Sequence, residues 1–311
     1  MNCLKPKFWD QYKPNFLSYL LLTISLILLI FSKSKIHKKI KMQGIKTICV
    51  GNIYVGGTGK TTLCLKINEI INSMGLSSCF IKKNYADQKD EQEILNNNGE
   101  LYCEDSRISA LKKINSEKIS VAIFDDGLQD QKIEYDLSIV CFNKSIGPGN
   151  VFLIPSGPLR ENIKSLKKYD VVFLNGNDES KSEFEDFLIK KFTHLKVFKS
   201  KYKIKNNEEF DKKEKYLVFA GIGNFENLIE MLKMNNFSII KSLKYPDHYN
   251  YKQSDINKIK NIAKDHNAKI ITTEKDFLRL SDENQKNISK IDVNLYILNK
   301  IDFTYFLNKI I

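Results

Sequence analysis

The residues best suited by type and spacing to do chemistry lie in ICVGNIYVGGTGKTT (48–62). A hydrophobic run enters a glycine-rich turn and leaves it as a helix beginning near Lys60. Such a turn points backbone N–H groups inward around phosphate oxygens, and the helix N-terminus adds a favourable dipole. Tyr54, Val55, Gly56, Gly57, Thr58, Gly59, Lys60 and Thr61 read as a nucleotide-phosphate loop for ATP. Lys60 is placed to reach the β- and γ-phosphates, and Thr61 offers a hydroxyl to Mg2+. Tyr54 stands where the usual pattern has its first glycine, five residues before Gly59.

A second group ends another apolar run. In IFDDGLQD (123–130) two carboxylates follow a strand-like segment. An Asp at the tip of a strand neighbouring the phosphate loop helps hold Mg2+. Adjacent residues on a strand tip point differently, so the two need not share a role. Asp125 is assigned to the metal and Asp126 to the catalytic group.

The elements that must position these residues follow from periodicity. Strand candidates are 45–50, 77–81, 119–124, 137–142 and 170–174, and Leu63, Ile67, Ile70, Ile71 and Met74 recur at helical spacing between the first two. That alternation predicts a mostly parallel α/β sheet flanked by helices, of the P-loop NTPase kind. A lysine-rich, glycine-poor stretch around 199–215 reads as a connection, and a second set of candidates follows at 216–221, 238–243, 269–273 and 294–298. The expected organisation is a P-loop kinase domain over 41–200 and a smaller α/β domain over 214–300. A terminal segment at 301–311 packs back, and a membrane-anchoring helix with basic flanks occupies 1–40. Residues 14–32 carry no charge, follow Lys13 and precede Lys33, Lys35, Lys38, Lys39 and Lys41. At 1.5 Å per residue this run reaches about 28 Å, against a hydrocarbon core of about 30 Å. No small-residue cleavage site follows it, which argues against a signal peptide. Basic residues on both flanks leave open whether the helix crosses the bilayer or lies in the interface.

Composition narrows the partners. A hydrophobic fraction of 42% suits a packed globular chain. The net charge of +12 is almost all lysine, since arginine occurs only at Arg107, Arg160 and Arg279. Part of this basicity reflects a background rich in Lys, Asn and Ile; the rest fits anionic lipid or a phosphorylated substrate. No basic stretch interleaves with aromatics as in a nucleic-acid module, so no nucleic-acid partner is expected. The six scattered cysteines form no CxxC pair and read as reduced, structural residues, as on a cytosolic face.

Six segments in register resemble the tetraacyldisaccharide 4'-kinase family: GNIYVGGTGKT (51–61), DDGLQ (125–129), LIPSGPLRE (153–161), AGIGN (220–224), PDHYNY (246–251) and TTEKD (272–276). The resemblance implies transfer of the ATP γ-phosphoryl to the 4'-hydroxyl of a tetraacylated disaccharide 1-phosphate, a lipid A precursor. It also implies a place at the inner membrane, in contact with membrane lipids, with the catalytic domains on the cytoplasmic side. In that light Arg160 of GPLRE suits a bidentate phosphate contact that lysine cannot reproduce, and Glu161 suits support of Mg2+. Arg107 is a weaker candidate of the same kind. His248 of PDHYNY is implied to activate the acceptor hydroxyl, and the matching stretch KDEQEIL (89–95) makes Asp90 its partner. The chain departs from the family at KKNYAD (82–87), where an SRGYGG-like loop is usual, at Asp130 in place of a histidine, and at Thr62 in place of a proline.

Two other readings compete. GGTGKTT also resembles the loop of membrane-recruited partitioning ATPases, but those carry a lysine where Val55 stands and have no GPLRE segment. The second rival is a membrane-bound nucleotide-binding protein without acceptor chemistry.

Overall fold

The structure, a computed structural model, describes residues 5–31, 39–177 and 182–311. Cys3 and the flanking lysines at 33, 35 and 38 lie outside the described residues. The chain forms two compact units. The larger comprises Lys5–Tyr85, Leu95–Lys201 and Ile297–Ile311; the smaller comprises Ala86–Ile94 and Tyr202–Tyr296. The segment 86–94 thus belongs to a different unit from the residues on either side of it.

The first half of the chain runs α1 (Phe16–Phe31), β1 (Lys46–Gly51), α2 (Lys60–Ser73), β2 (Ser78–Lys83), α3 (Lys89–Asn97), β3 (Glu100–Glu104), α4 (Arg107–Lys113), β4 (Val121–Asp125) and β5 (Leu137–Asn143). It continues with β6 (Val171–Asn175), α5 (Glu183–Lys191) and β7 (Lys196–Ile204). Then come β8 (Lys215–Ala220), α6 (Phe225–Met234), β9 (Ser238–Lys244), α7 (Gln253–Asp265), β10 (Lys269–Thr273), α8 (Glu274–Leu278) and α9 (Asp282–Gln285). The last elements are β11 (Ile288–Ile291), β12 (Val293–Ile297) and α10 (Lys300–Asn308).

The large sheet has the order β12-β7-β6-β5-β1-β4-β2-β3. From β7 to β3 every neighbouring pair is parallel. Strands β4, β5 and β6 are buried along their whole length, as expected where helices cover both faces of a parallel sheet. Helix α2 buries Leu63, Cys64, Ile67, Ile70 and Ile71, a single stripe at helical spacing. Each large apolar side chain buried this way stabilises the fold by about 1.5–3 kcal/mol. At the other end, α10 sets Phe303 edge-on to Phe173 at 4.9 Å and to Phe198 at 5.0 Å. Pairing of Val50 with Asp125 and of Ile81 with Phe124 brings the carboxyl ends of β1, β4 and β2 level. The phosphate loop, the two aspartates and Lys82 all emerge from that edge.

Three strands escaped the sequence reading. β3 is five residues with a glutamate at each end, β7 alternates lysines with apolar residues, and β11 is only four residues long. β7 extends into the stretch expected to be a connection, because alternation on a half-exposed strand resembles a charged loop.

The N-terminal helix also differs from expectation. α1 spans 16 residues, about 24 Å, and no described helix is long and apolar enough to cross a membrane. Its serines are the reason the apolar run is not uniform. Ser18 and Ser25, seven residues apart and so on one face, are buried against the loop at 150–156. Asn150 Nδ2 donates to Ser18 Oγ at 3.0 Å, Ser25 Oγ donates to the Leu153 carbonyl at 3.0 Å, and Ser156 N–H donates to Ser25 Oγ at 3.1 Å. The remaining faces expose Phe16, Leu20, Ile27 and Ile30.

The smaller unit is built on a four-stranded sheet of order β11-β10-β8-β9, parallel throughout. One face packs on α6 through Leu228, Met231 and Leu232, the other on α7 through Ile256, Ile259 and Ala263.

Candidate active site

In the larger unit the phosphate loop leaves β1 at Gly51 and enters α2 at Lys60. Gly59 caps the helix in the left-handed region with φ of 81°, a conformation that favours glycine. The loop is held from both sides. Asn52 Nδ2 donates to Thr58 Oγ1 at 3.0 Å, and Asn175 Nδ2, from the end of β6, donates to the Thr58 carbonyl at 2.6 Å. The GPLRE segment laces along the other flank: Val55 N–H donates to the Pro158 carbonyl at 2.9 Å, and Arg160 N–H to the Ile53 carbonyl at 2.7 Å. Tyr54 forms an antiparallel bridge with Leu159, and its hydroxyl bonds Asp10 and Lys5. A glycine there would lose this tie between the phosphate loop and the N-terminal segment.

Asp125 and Asp126 diverge because Asp126 turns into the left-handed region at φ of 59°. Asp125 is fully buried; its Oδ2 accepts from Thr61 Oγ1 at 3.2 Å and from Lys82 Nζ at 2.7 Å. Asp126 faces the cations. Arg160 Nη1 lies 3.2 Å from both its carboxylate oxygens, and Lys60 Nζ lies 3.9 Å from Oδ1. Burial alone would raise the Asp126 pKa, but Lys60 and Arg160 outweigh it and hold the carboxyl below its ordinary range. Lys60 and Arg160 thus converge on one carboxylate, as a site for a polyanion requires.

Glu161 accepts from Tyr169 OH at 2.9 Å and from Gln129 Nε2 at 2.9 Å, and Gln129 also donates to the Asn52 carbonyl at 3.0 Å. Arg107 is a brace for the DDG turn: it donates to the Asp126 carbonyl at 2.5 Å and lies 3.8 Å from Asp130. Among the described residues no group of three or more His, Cys, Asp or Glu side chains forms a metal cluster. A Thr hydroxyl beside a carboxylate nonetheless matches Mg2+ in nucleotide sites, where phosphates and water supply most ligands.

A second constellation lies in the smaller unit, where AGIGN, PDHYNY, TTEKD and the 89–94 stretch converge. His248 Nδ1 is 3.5 Å from Asp90 Oδ1, and His248 adopts a positive φ of 56° with its N–H on the Gly221 carbonyl at 3.1 Å. Arg279 joins the group. Its Nη2 donates to Asp90 Oδ2 at 2.6 Å, and its Nη1 donates to Asp276 Oδ1 at 3.0 Å and to the Gly221 carbonyl at 3.1 Å. Asp276 also accepts from Gly221 N–H, Tyr251 OH and Thr273 Oγ1. A Cβ at Gly221 would stand 2.7 Å from the Pro246 carbonyl oxygen, so only glycine lets these segments close. Lys275 pairs with Glu91 at 2.5 Å, and Glu274 with Lys290 at 3.3 Å.

Charge tunes this group in both directions. Burial would lower the His248 pKa, but Asp90, Asp247 and Glu91 prevail and raise it above its ordinary value. Burial would raise Asp90, yet His248, Arg279 and Lys275 hold it below the usual carboxylate range. An imidazole made more basic by a fixed carboxylate is a competent proton acceptor.

Sequence reasoning named Asp90 and His248 but placed Asp90 on the nucleotide domain; it lies in the smaller unit. Arg279, Asp276, Glu91 and Lys82 went unassigned. The scarcity of arginine was the available signal for Arg279, since all three arginines hold aspartates of these two groups.

Comparison with known proteins agrees with this picture. The family model for tetraacyldisaccharide-1-P 4'-kinase matches residues 15–311. A tetraacyldisaccharide 4'-kinase of Pelagibacter ubique is 50% identical over all of this chain and 98% of its own length. One from Rickettsia felis is 34% identical over 96% of this chain and 95% of its own. A solved structure of LpxK from Aquifex aeolicus in complex with ATP superposes with a TM-score of 0.65, at 20% identity, covering 94% of this chain and 96% of that one. That likeness supports the fold, and the family model with the close relatives shows that this chain belongs to the tetraacyldisaccharide 4'-kinase family.

Proposed function

We propose that this protein transfers the γ-phosphoryl group of ATP to the 4'-hydroxyl of a tetraacyldisaccharide 1-phosphate. The observation that carries this reading is the convergence of Lys60 and Arg160 on Asp126 beside a pinned phosphate loop. Lys60 and Arg160 hold and stabilise the transferring phosphoryl, whose charge spreads over its equatorial oxygens. Thr61 and Asp125 are the residues that would hold Mg2+, which when bound neutralises phosphate charge. Glu161, tied to Tyr169 and Gln129, orients the loop that carries Arg160. His248 accepts the proton of the acceptor hydroxyl, with Asp90 and Arg279 fixing the imidazole. A tuned base of this kind favours catalysis over a purely nucleotide-binding role.

The protein works at the cytoplasmic side of the inner membrane, with α1 lying in the interface and its exposed apolar residues among the lipids. Docked serines on one face and apolar residues on the others suit that position. The test is phosphotransfer with purified protein, Mg-ATP and tetraacyldisaccharide 1-phosphate. Labelled lipid product is expected, and Lys60→Ala should lower its rate at least about a hundredfold, the scale of a lost preorganised charge. ATP turnover indifferent to the lipid, or a Lys60→Ala rate within about threefold of wild type, would overturn the reading.

A further inference from the structure

Lys82 is a buried cation to which the reaction as described gives no part. It sits near the end of β2, one residue past the pairing of Ile81 with Phe124, which sets it beside Asp125. Its side chain is 1% exposed, that of Asp125 is 0% exposed, and Nζ lies 2.7 Å from Oδ2. The same oxygen accepts from Thr61 Oγ1 at 3.2 Å. The other oxygen has Cys64 Sγ at 4.0 Å, a weak donor. The carboxylate on the metal side of the phosphate site is therefore already paired with a resident positive charge. A lysine so removed from water is costly to separate from its partner, which holds the ammonium in place. Thr61 is in the first turn of α2, so this charge adds to Lys60 and to the positive helix end.

We propose that Lys82 is a positioning residue that serves as a built-in monovalent cation beside the metal position. It locks Asp125 onto Thr61 and supplies part of the positive charge that a divalent ion otherwise brings to the nucleotide. The inference rests on the reading of Thr61 and Asp125 as the metal side of the site. Two effects follow. ATP binds with little help from a divalent ion, because Lys60 and the α2 N-terminus already face its charge and Lys82 offsets that of Asp125. Mg2+ in turn joins the nucleotide complex weakly, since it approaches a carboxylate that is ion-paired.

The experiment measures binding of a fluorescent ATP analogue by the full chain, once in EDTA and once in saturating Mg2+. In the wild-type protein, removing the metal should raise Kd by less than about tenfold, and a larger effect overturns the proposal. Lys82→Met should increase that metal dependence by a further factor of about ten or more, while Lys82→Arg stays near wild type. A folded Lys82→Met protein with unchanged metal dependence also overturns it. If Lys82→Met does not fold, the wild-type ratio decides alone. Failure of the site reading looks different: Lys60→Ala would then leave analogue binding intact in both conditions.

Discussion

Replacing Asp90 by asparagine keeps the shape of the side chain and removes its charge, which isolates what that charge does to His248. At 3.5 Å, and an effective dielectric of about 20, the Asp90–His248 attraction is about 5 kcal/mol before burial is counted. Much of this is offset. Both groups are desolvated, and Arg279 Nη2 lies 3.3 Å from the same imidazole nitrogen. Glu91 and Asp247 also remain, 4.0 and 3.9 Å from Nε2. A fall in the His248 pKa is the expected result, since Asp90 is the largest of the influences that raise it. The sign follows from the base role proposed for His248. His248 accepts a proton only when neutral, and its pKa is raised in the native protein, so the acid limb of kcat/KM for the lipid stands above the ordinary histidine range. In Asp90→Asn that limb moves to lower pH. The plateau drops by about tenfold or more as the imidazole loses its orientation, a part of the roughly 10²–10⁴-fold that positioned acid–base groups contribute. Nucleotide affinity stays unchanged, because the phosphate loop belongs to the other unit. The same shifts govern stability. The His248 contribution is fully present below about pH 6.5 and is lost as pH rises through its raised pKa; that of Asp90 is present above about pH 4 and is lost as pH falls through its lowered one. The assay is a pH–rate profile on both proteins at saturating Mg-ATP. An acid limb unmoved within about 0.3 unit, with an undiminished plateau, would refute the pairing as the source of basicity.

Other outcomes follow from the same geometry. Arg279→Met takes from Asp90 its shortest ion pair while Asp276 keeps three other donors, so the smaller unit should lose about 3–5 kcal/mol in urea unfolding, and a loss under about 1 kcal/mol would show that the pair contributes little. Arg160→Lys keeps the charge but not the planar fork that fits two phosphoryl oxygens, so kcat should fall about tenfold or more with ATP binding little changed; equal kcat would count against a bidentate role. Wild-type protein should stay with membranes through a high-salt wash, and Leu20→Glu with Ile27→Glu, both on exposed faces of α1, should release it; full release of wild type by salt alone would assign the association to charge.

Much about this protein was legible in residue order because it is locally encoded. Glycines before Lys60, apolar runs ending in Asp125, and helical spacing from Leu63 to Ile71 depend on a few neighbouring residues, so the phosphate loop, its strand and its helix were readable at once. Periodicity likewise revealed a parallel α/β architecture, because fully buried strands read as unbroken apolar runs. Only tertiary structure decided the rest. That α1 sets Ser18 and Ser25 against the loop at 150–156 depended on partners more than a hundred residues away. That Asp90 and Glu91 join the smaller unit is invisible to periodicity, since α3 reads the same wherever it packs. Arg279 reaches Asp90 across 189 positions, and Lys82 reaches Asp125 across 43. In a sequence with 49 basic residues, such a pair looks like any other charge. What marks it is burial: taken out of water, a lysine or arginine must face a carboxylate, and only the packed chain shows which one.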